Sequence, residues 1–197
     1  NLDVNKLEAL ITDRTKAIIP VHFAGQPCDM EEISYIAKKH NLYVIEDAAH
    51  AFPSKYKEKF IGQLSDITCF SFYATKTLAT GEGGMATTSN PDFAKSMKIN
   101  RLHGISRDAW DRYTTKGSWF YQVVDNGFKY NMTDMNAALG LSQLKKSDLF
   151  NKQRKEIADR YMAAFSQAGI RTTTVRNDRD TSWHLFVIKV NNRNEFI

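Results

Sequence analysis

The chain has 197 residues, 42% of them hydrophobic and 12% aromatic, too many for a disordered chain, and no apolar run approaches the ~18–20 residues of a membrane-spanning helix. Four prolines, ten glycines and two cysteines leave no room for a collagen-like or low-complexity chain, a disulfide framework or a zinc cluster. The formal charge of +5 comes from 27 Lys and Arg against 22 Asp and Glu, and the cations alternate with acids (Glu58 among Lys55, Lys57 and Lys59; Asp148 after Lys145 and Lys146), which is the pattern of solvated faces and argues against a nucleic-acid partner.

Asp3 can cap a short helix over 4–10. Residues 16–23 (K-A-I-I-P-V-H-F) form a continuous apolar run, as expected of a strand covered on both faces. Cys28 follows it, and Cys69 lies in a later strand; both are expected as buried thiols of a reducing compartment. Asp29 and Glu32 have capping-box spacing ahead of a helical stripe of Ile33, Ile36 and Ala37 that runs to about His40. Residues 42–46 (L-Y-V-I-E) and 67–72 (I-T-C-F-S-F) read as two more buried strands, and 84–88 as a short fourth. Pro91 opens a helix to about Leu102. This βαβ rhythm predicts an α/β fold, a mostly parallel sheet with helices on both faces.

Between 106 and 130 the regularity stops in an aromatic, polar stretch that includes Trp110, Tyr113, Trp119, Phe120, Tyr121 and Phe128. So long a loop is expected to be functional or to sit at an interface. Thr133 then caps a helix through Gln143. A long helix follows over about 145–167, its stripe formed by Ile157, Tyr161, Ala164 and Phe165. Beyond Gly169, residues 183–190 (W-H-L-F-V-I-K-V) read as a strand that begins a second domain. The expected organisation is a large domain over 1–145, a linking helix over 146–168 and the start of a small domain over 169–197.

In open α/β sheets, ligands bind outside the carboxyl ends of strands. Three such places carry chemistry here: E-D-A-A-H-A at 46–51, S-F-Y-A-T-K at 71–76 and the glycine turn G-E-G-G at 81–84. Bottom-up they suggest an Asp, a Ser and a Lys converging on one ligand. A desolvated lysine there can act as a nucleophile or Schiff-base former, and a hydroxyl beside it can take a phosphate. An Asp that meets a pyridinium nitrogen is its usual companion in pyridoxal-phosphate enzymes. Taken singly, each residue has a plainer use: Asp47 as a turn or cap residue, Ser71 as a strand hydroxyl bonded to backbone, Lys76 as a surface lysine.

In combination and in this order the three segments closely resemble the nucleotide-sugar aminotransferases of the DegT/StrS family, fold-type-I pyridoxal-phosphate enzymes. Three further segments resemble that family too: P-V-H-F-A-G-Q-P at 20–27, R-L-H-G-I-S-R-D at 101–108 and M-T-D-M-N-A-A-L-G-L-S-Q at 132–143. The resemblance implies that Lys76 forms the Schiff base with the cofactor aldehyde and shuttles the proton during transamination. It implies that Asp47 keeps the pyridinium nitrogen protonated, that His50 lies beside the ring and that Ser71 binds the cofactor phosphate. Glutamate would be the amino donor and a keto sugar on a nucleotide the acceptor, in a cytoplasmic homodimer serving polysaccharide or modified-sugar synthesis. Relatives that are dehydratases carry His in place of the lysine, so Lys76 favours the aminotransferase.

One segment departs from the family. Where it often reads G-Y-N-Y-R, this chain has Gly127-Phe128-Lys129-Tyr130-Asn131. Lys129 therefore stands at the position whose Asn reaches the cofactor phosphate of the neighbouring subunit, a role that a lysine can fill as a point charge. Two rival expectations are another fold-type-I activity and a non-catalytic, sugar-binding member. Asn1 in place of an initiating Met, and an end just past a strand-like run, are expected of a central fragment that alone turns over nothing.

Overall fold

The computed structural model describes residues 1–106 and 121–196. In chain order the elements are α1 (Val4–Leu7) running into a 3-10 turn (Glu8–Leu10), β1 (Ala17–Ile18), a second 3-10 turn (Phe23–Gly25), α2 (Met30–Lys39), β2 (Tyr43–Asp47), β3 (Lys55–Tyr56), β4 (Lys59–Phe60), β5 (Ile67–Ser71) and β6 (Gly84–Thr87). There follow α3 (Pro91–Asn100), α4 (Asp134–Leu144), α5 (Ser147–Gln167), β7 (Arg171–Thr172), β8 (Arg179–Asp180), β9 (Ile188–Lys189) and α6 (Arg193–Phe196). Of the aromatic stretch, Trp110, Tyr113, Trp119 and Phe120 lie outside the described residues, while 121–130 is irregular and tied back by the bridges Ile105–Val123 and Leu102–Lys129.

The main sheet has the order β1-β2-β5-β6; β1, β2 and β5 are parallel and β6 is antiparallel to β5. The α/β, mostly parallel expectation is met. Helix α2 is the crossover from β1 to β2, and it buries Ile33, Ile36 and Ala37 against Ile18 and Val44 in one apolar core. Burying each such aliphatic side chain is worth roughly 1.5–3 kcal/mol, which is what holds a ten-residue helix too short to persist alone.

The structure corrects several sequence expectations. The run 16–23 is not covered on both faces. Ile18, Pro20 and His22 are buried, whereas Ile19, Val21 and Phe23 are 60%, 44% and 46% exposed, and only Ala17–Ile18 forms regular strand, with one further bridge from Val21 to Asp47. Cys28 is buried as expected, but Cys69 is exposed, because it points to this same open side. Asp29 occupies the α2 cap position without capping: its Oδ1 accepts instead from Arg176 (2.7 Å) and Arg179 (2.8 Å). In α5 the buried residue is Ala158, while Ile157 and Tyr161 are half exposed, so the inward stripe is rotated by one residue from the expected one. Residues 183–190 form strand only at β9, and Trp183 at the head of the run adopts a left-handed backbone (φ 49°).

Part of the segment after α5 joins a separate three-stranded sheet of order β4-β3-β8. β8 pairs with β3, and Arg179 lies over the Tyr56 ring at 5.0 Å while its guanidinium donates to Asp29, Asp178 and the Pro27 carbonyl. This buried, fully bonded arginine anchors residues 171–190 beside the loop that follows β1.

Candidate active site

Strands β2 and β5 run parallel and therefore end at the same edge of the sheet. Because β6 runs the other way, the 81–84 turn that enters it lies at that edge too. All three sequence segments thus meet where a doubly wound sheet presents its ligand site.

Side-chain alternation along β2 sends Val44 and Glu46 into the core and leaves Asp47 on the open side, half-buried, as the register partner of Cys69. The Asp47 peptide donates to the Pro20 carbonyl (2.9 Å) and accepts from the His22 N–H (3.1 Å), and its Oδ1 accepts from the Ala49 N–H (3.0 Å). Ser71 closes β5, its Oγ accepting a long bond from the Tyr73 N–H (3.4 Å). Lys76 follows in a tight turn, its N–H donating to the Tyr73 carbonyl (2.9 Å), and is half-buried.

His50 stands in the same electrostatic field. Burial lowers its pKa, the charge of Lys76 lowers it further, and Asp47 pulls the other way. Its Nδ1 accepts from the Ala24 N–H (3.3 Å), which leaves Nε2 as the protonated nitrogen of the neutral ring. The ring lies 6.2 Å from that of Phe23 and 4.4 Å from that of His184, centroid to centroid. Asp47, His50, Ser71 and Lys76 are therefore brought to one place. Lys129 is not: it is exposed, bridged to Leu102, and its Nζ bonds Asn131.

Two glycine-bearing segments shape the surroundings. A Cβ on Gly83 would stand 2.5 Å from Thr80 Oγ1 and 2.8 Å from Met132, and Asn136 at the start of α4 donates to the Glu82 carbonyl (2.9 Å). The 132–143 segment thus buttresses the 81–84 turn. On the other side, Gly25 (φ 97°) makes room for Ser182, whose Oγ donates to the His50 carbonyl (2.6 Å) and whose N–H donates to Ser54 Oγ (3.0 Å).

Sequence reasoning missed Ser182 and His184, which arrive from more than 130 residues downstream of His50. His184 Nδ1 is buried without a hydrogen-bond partner, and burial, aided by the charges of His50, Lys76 and Arg154, drives its pKa down to about 4. Reasoning also left Glu46 and His22 without roles. The alternation of β2 would have placed Glu46 inside, where a carboxylate needs partners.

This donor set fits a phosphorylated pyridine aldehyde: a carboxylate for a ring nitrogen, a lysine amine for the aldehyde carbon, an underused hydroxyl for a phosphate and an imidazole beside the ring. Among the described residues no cluster of His, Cys, Asp and Glu could hold a metal ion, and no helix is long and apolar enough to cross a membrane.

Comparison with known proteins agrees with the geometry. The model of the DegT/DnrJ/EryC1/StrS aminotransferase family matches residues 1–197. The spore coat polysaccharide biosynthesis protein SpsC of Bacillus subtilis is 52% identical over 194 residues, covering 98% of this chain and 50% of that protein. Among solved structures, PseC of Helicobacter pylori, an aminotransferase involved in the biosynthesis of pseudoaminic acid, superposes with a TM-score of 0.89 at 31% identity, over 100% of this chain and 51% of its own. Spr1654 of Streptococcus pneumoniae, assigned as a sugar aminotransferase and solved in PMP and PLP forms, gives a TM-score of 0.87 at 34% identity for the PMP form, over 96% of this chain and 53% of its own. The chain spans about half the length of these relatives. Its architecture is that of fold-type-I pyridoxal-phosphate enzymes, and the chain belongs to the DegT/DnrJ/EryC1/StrS aminotransferase family.

Proposed function

We propose that the protein is a pyridoxal-phosphate-dependent aminotransferase that moves an amino group from glutamate to the keto group of a nucleotide-linked sugar, for polysaccharide or modified-sugar synthesis in the cytoplasm. The observation that carries this reading is the meeting of Asp47, His50, Ser71 and Lys76 at one edge of the sheet, with Lys76 and Asp47 acting on the same imidazole. The PLP and PMP forms of Spr1654 and the polysaccharide role of SpsC support the cofactor and the substrate class.

The bound cofactor supplies an electron sink for the carbon that loses or gains the amino group. The rest is the work of this chain's residues. Asp47 holds a proton at the ring nitrogen, and its own peptide is pinned by Pro20 and His22, so the carboxylate is presented from a fixed strand end. Ser71 binds the phosphate. His50, oriented by the Ala24 N–H and flanked by Phe23 and His184, would lie beside the cofactor ring. Lys76 would offer its amine to the cofactor aldehyde and would hold and return the proton that moves during amino transfer, general acid–base work worth about 10²–10⁴-fold in rate. Lys129 would reach the cofactor phosphate of a second copy, and the working unit would then be a homodimer. Residues 1–145 form the cofactor domain, 146–168 the linking helix and 169–197 the start of a small domain.

The test is spectroscopic. The full-length protein with pyridoxal phosphate is expected to show a visible absorbance band that borohydride abolishes and glutamate bleaches. Lys76→Ala should remove both responses. A band indifferent to the Lys76 change would overturn the role given to that residue, and a band that glutamate leaves untouched would favour a non-catalytic, binding member.

A further inference from the structure

Glu46 and His22 have no part in the chemistry proposed above, yet their side chains are fully buried and hydrogen-bonded to each other. Both side chains are 0% exposed. The Cys28 N–H donates to His22 Nδ1 (3.0 Å), so the hydrogen of the neutral ring sits on Nε2 and donates to Glu46 Oε2 (2.7 Å). The other carboxylate oxygen, Oε1, accepts from Ser65 Oγ (2.6 Å) and Thr68 Oγ1 (2.8 Å). Burial pushes the Glu46 pKa up, but the bonds from His22, Ser65 and Thr68 outweigh it and the net shift is downward.

A carboxylate enclosed in this way is an expensive means of filling a strand position. Replacing a buried ionic group by apolar residues of similar volume is often neutral or stabilising, so packing alone does not call for it. What the carboxylate does is join three chain segments at one level. Through His22 it grips the extension of β1, whose Pro20 carbonyl and His22 N–H bracket the peptide of Asp47. Through Thr68, its register partner, it grips β5 one residue before Cys69, whose carbonyl accepts the N–H of Ala48. The residue after Glu46 is Asp47, which emerges on the opposite face.

We infer that Glu46 and His22 are positioning residues: the buried carboxylate–imidazole pair locks β1, β2 and β5 in register, so that the Asp47 carboxylate is held on the ring nitrogen of the cofactor. The inference rests on the proposed role of Asp47. It assigns to the pair no contact with cofactor or substrate.

Glu46→Gln in the full-length protein tests it. The amide offers one acceptor oxygen where the carboxylate offers two, so one side of the clamp, toward His22 or toward Ser65 and Thr68, loses its acceptor while volume is kept. Three quantities are read: pyridoxal phosphate affinity by titration of the visible band, the pH midpoint of that band, and the melting temperature of the cofactor-free protein. Affinity should fall about tenfold, the equivalent of one lost hydrogen bond. The pH midpoint should shift by roughly half a unit or more, because the ring nitrogen is held less firmly in its protonated form. The double variant His22→Leu/Glu46→Leu, which removes both members of the pair at the cost of the acceptor of the Cys28 N–H, should show the same two changes in larger measure.

A pair that serves only packing would lower the melting temperature and leave the affinity and the pH midpoint of the folded protein alone. That result with Glu46→Gln overturns the inference even where the double variant fails to fold. Absence of a borohydride-sensitive band in the wild type overturns the proposed function instead, so the two failures are distinct.

Discussion

Gly25→Ala is the sharpest structural test of how the site is assembled. The new Cβ would stand 2.0 Å from Ser182 Oγ, 2.9 Å from the His50 carbonyl and 3.2 Å from the Trp183 N–H nitrogen, on a residue whose φ is 97°. The backbone strain of a side chain in that left-handed region costs about 1–2 kcal/mol. Ser182 must also move, and it then loses its bonds to the His50 carbonyl (2.6 Å) and from its own N–H to Ser54 Oγ (3.0 Å). At about 0.5–1.5 kcal/mol net for each bond, the total destabilisation is about 2–5 kcal/mol. Urea unfolding of the full-length protein measures it as a drop in midpoint at unchanged slope. Adding Ser182→Ala removes the atom that collides most severely, so the double variant should be less destabilised than the sum of the singles by at least about 1 kcal/mol. A Gly25→Ala protein of wild-type stability, or strict additivity in the cycle, would refute the reasoning.

Asp47→Asn keeps shape but gives up a charge-assisted bond worth about 1.5–3 kcal/mol, so cofactor affinity should fall about 10–150-fold in a visible-band titration. The His184 pKa, drawn down to about 4 from 6.5, means that the folded protein binds fewer protons than the unfolded chain between those values; stability is full above pH 6.5 and is lost as pH falls toward 4. The half-exposed position discounts that loss to about 1–2 kcal/mol, and His184→Gln should flatten this part of the pH–stability curve. A thiol reagent should modify the exposed Cys69 of the cofactor-free 197-residue chain and spare Cys28, which is buried and has its pKa raised to about 11, until the protein unfolds. Loading with pyridoxal phosphate should slow the Cys69 reaction, because Cys69 is the register partner of Asp47, and mass spectrometry of the labelled peptides reports both outcomes.

Local signals in the sequence were reliable where local physics decides. Asp3 and Thr133 cap their helices as their residue types predict, bonding the N–H of Asn5 (3.1 Å) and of Asn136 (3.3 Å). The apolar runs that became β2 and β5 begin and end within a residue of expectation. Asp29 had the same credentials as these caps and does not cap, because two arginines about 150 residues downstream take its carboxylate. No spacing rule reaches that far. The stripe of α5 was misjudged by one residue: Ile157 is more apolar than Ala158, yet Ala158 is the one that is buried.

The candidate site divides along the same line. Asp47 and Ser71 each end a strand, Lys76 follows one, and all three sit in short motifs, so the edge of the sheet at which they meet was legible from strand order alone. The groups that hold them are not. His22 and Glu46 are 24 residues apart, and Ser182 is 132 from His50; each pair is tied by a buried hydrogen bond that the sequence leaves unmarked. In both pairs the far partner fixes backbone beside a site residue, the Asp47 peptide in one and the His50 carbonyl in the other. Chemistry at a strand end asks only for the right side chain. Holding that side chain within a fraction of an ångström asks for closure by distant segments, and a buried polar group with every bond satisfied supplies it with the least freedom to relax. This is why the residues at the reacting edge can be read from short motifs, whereas their supports are recovered by asking where each buried polar atom finds its partner.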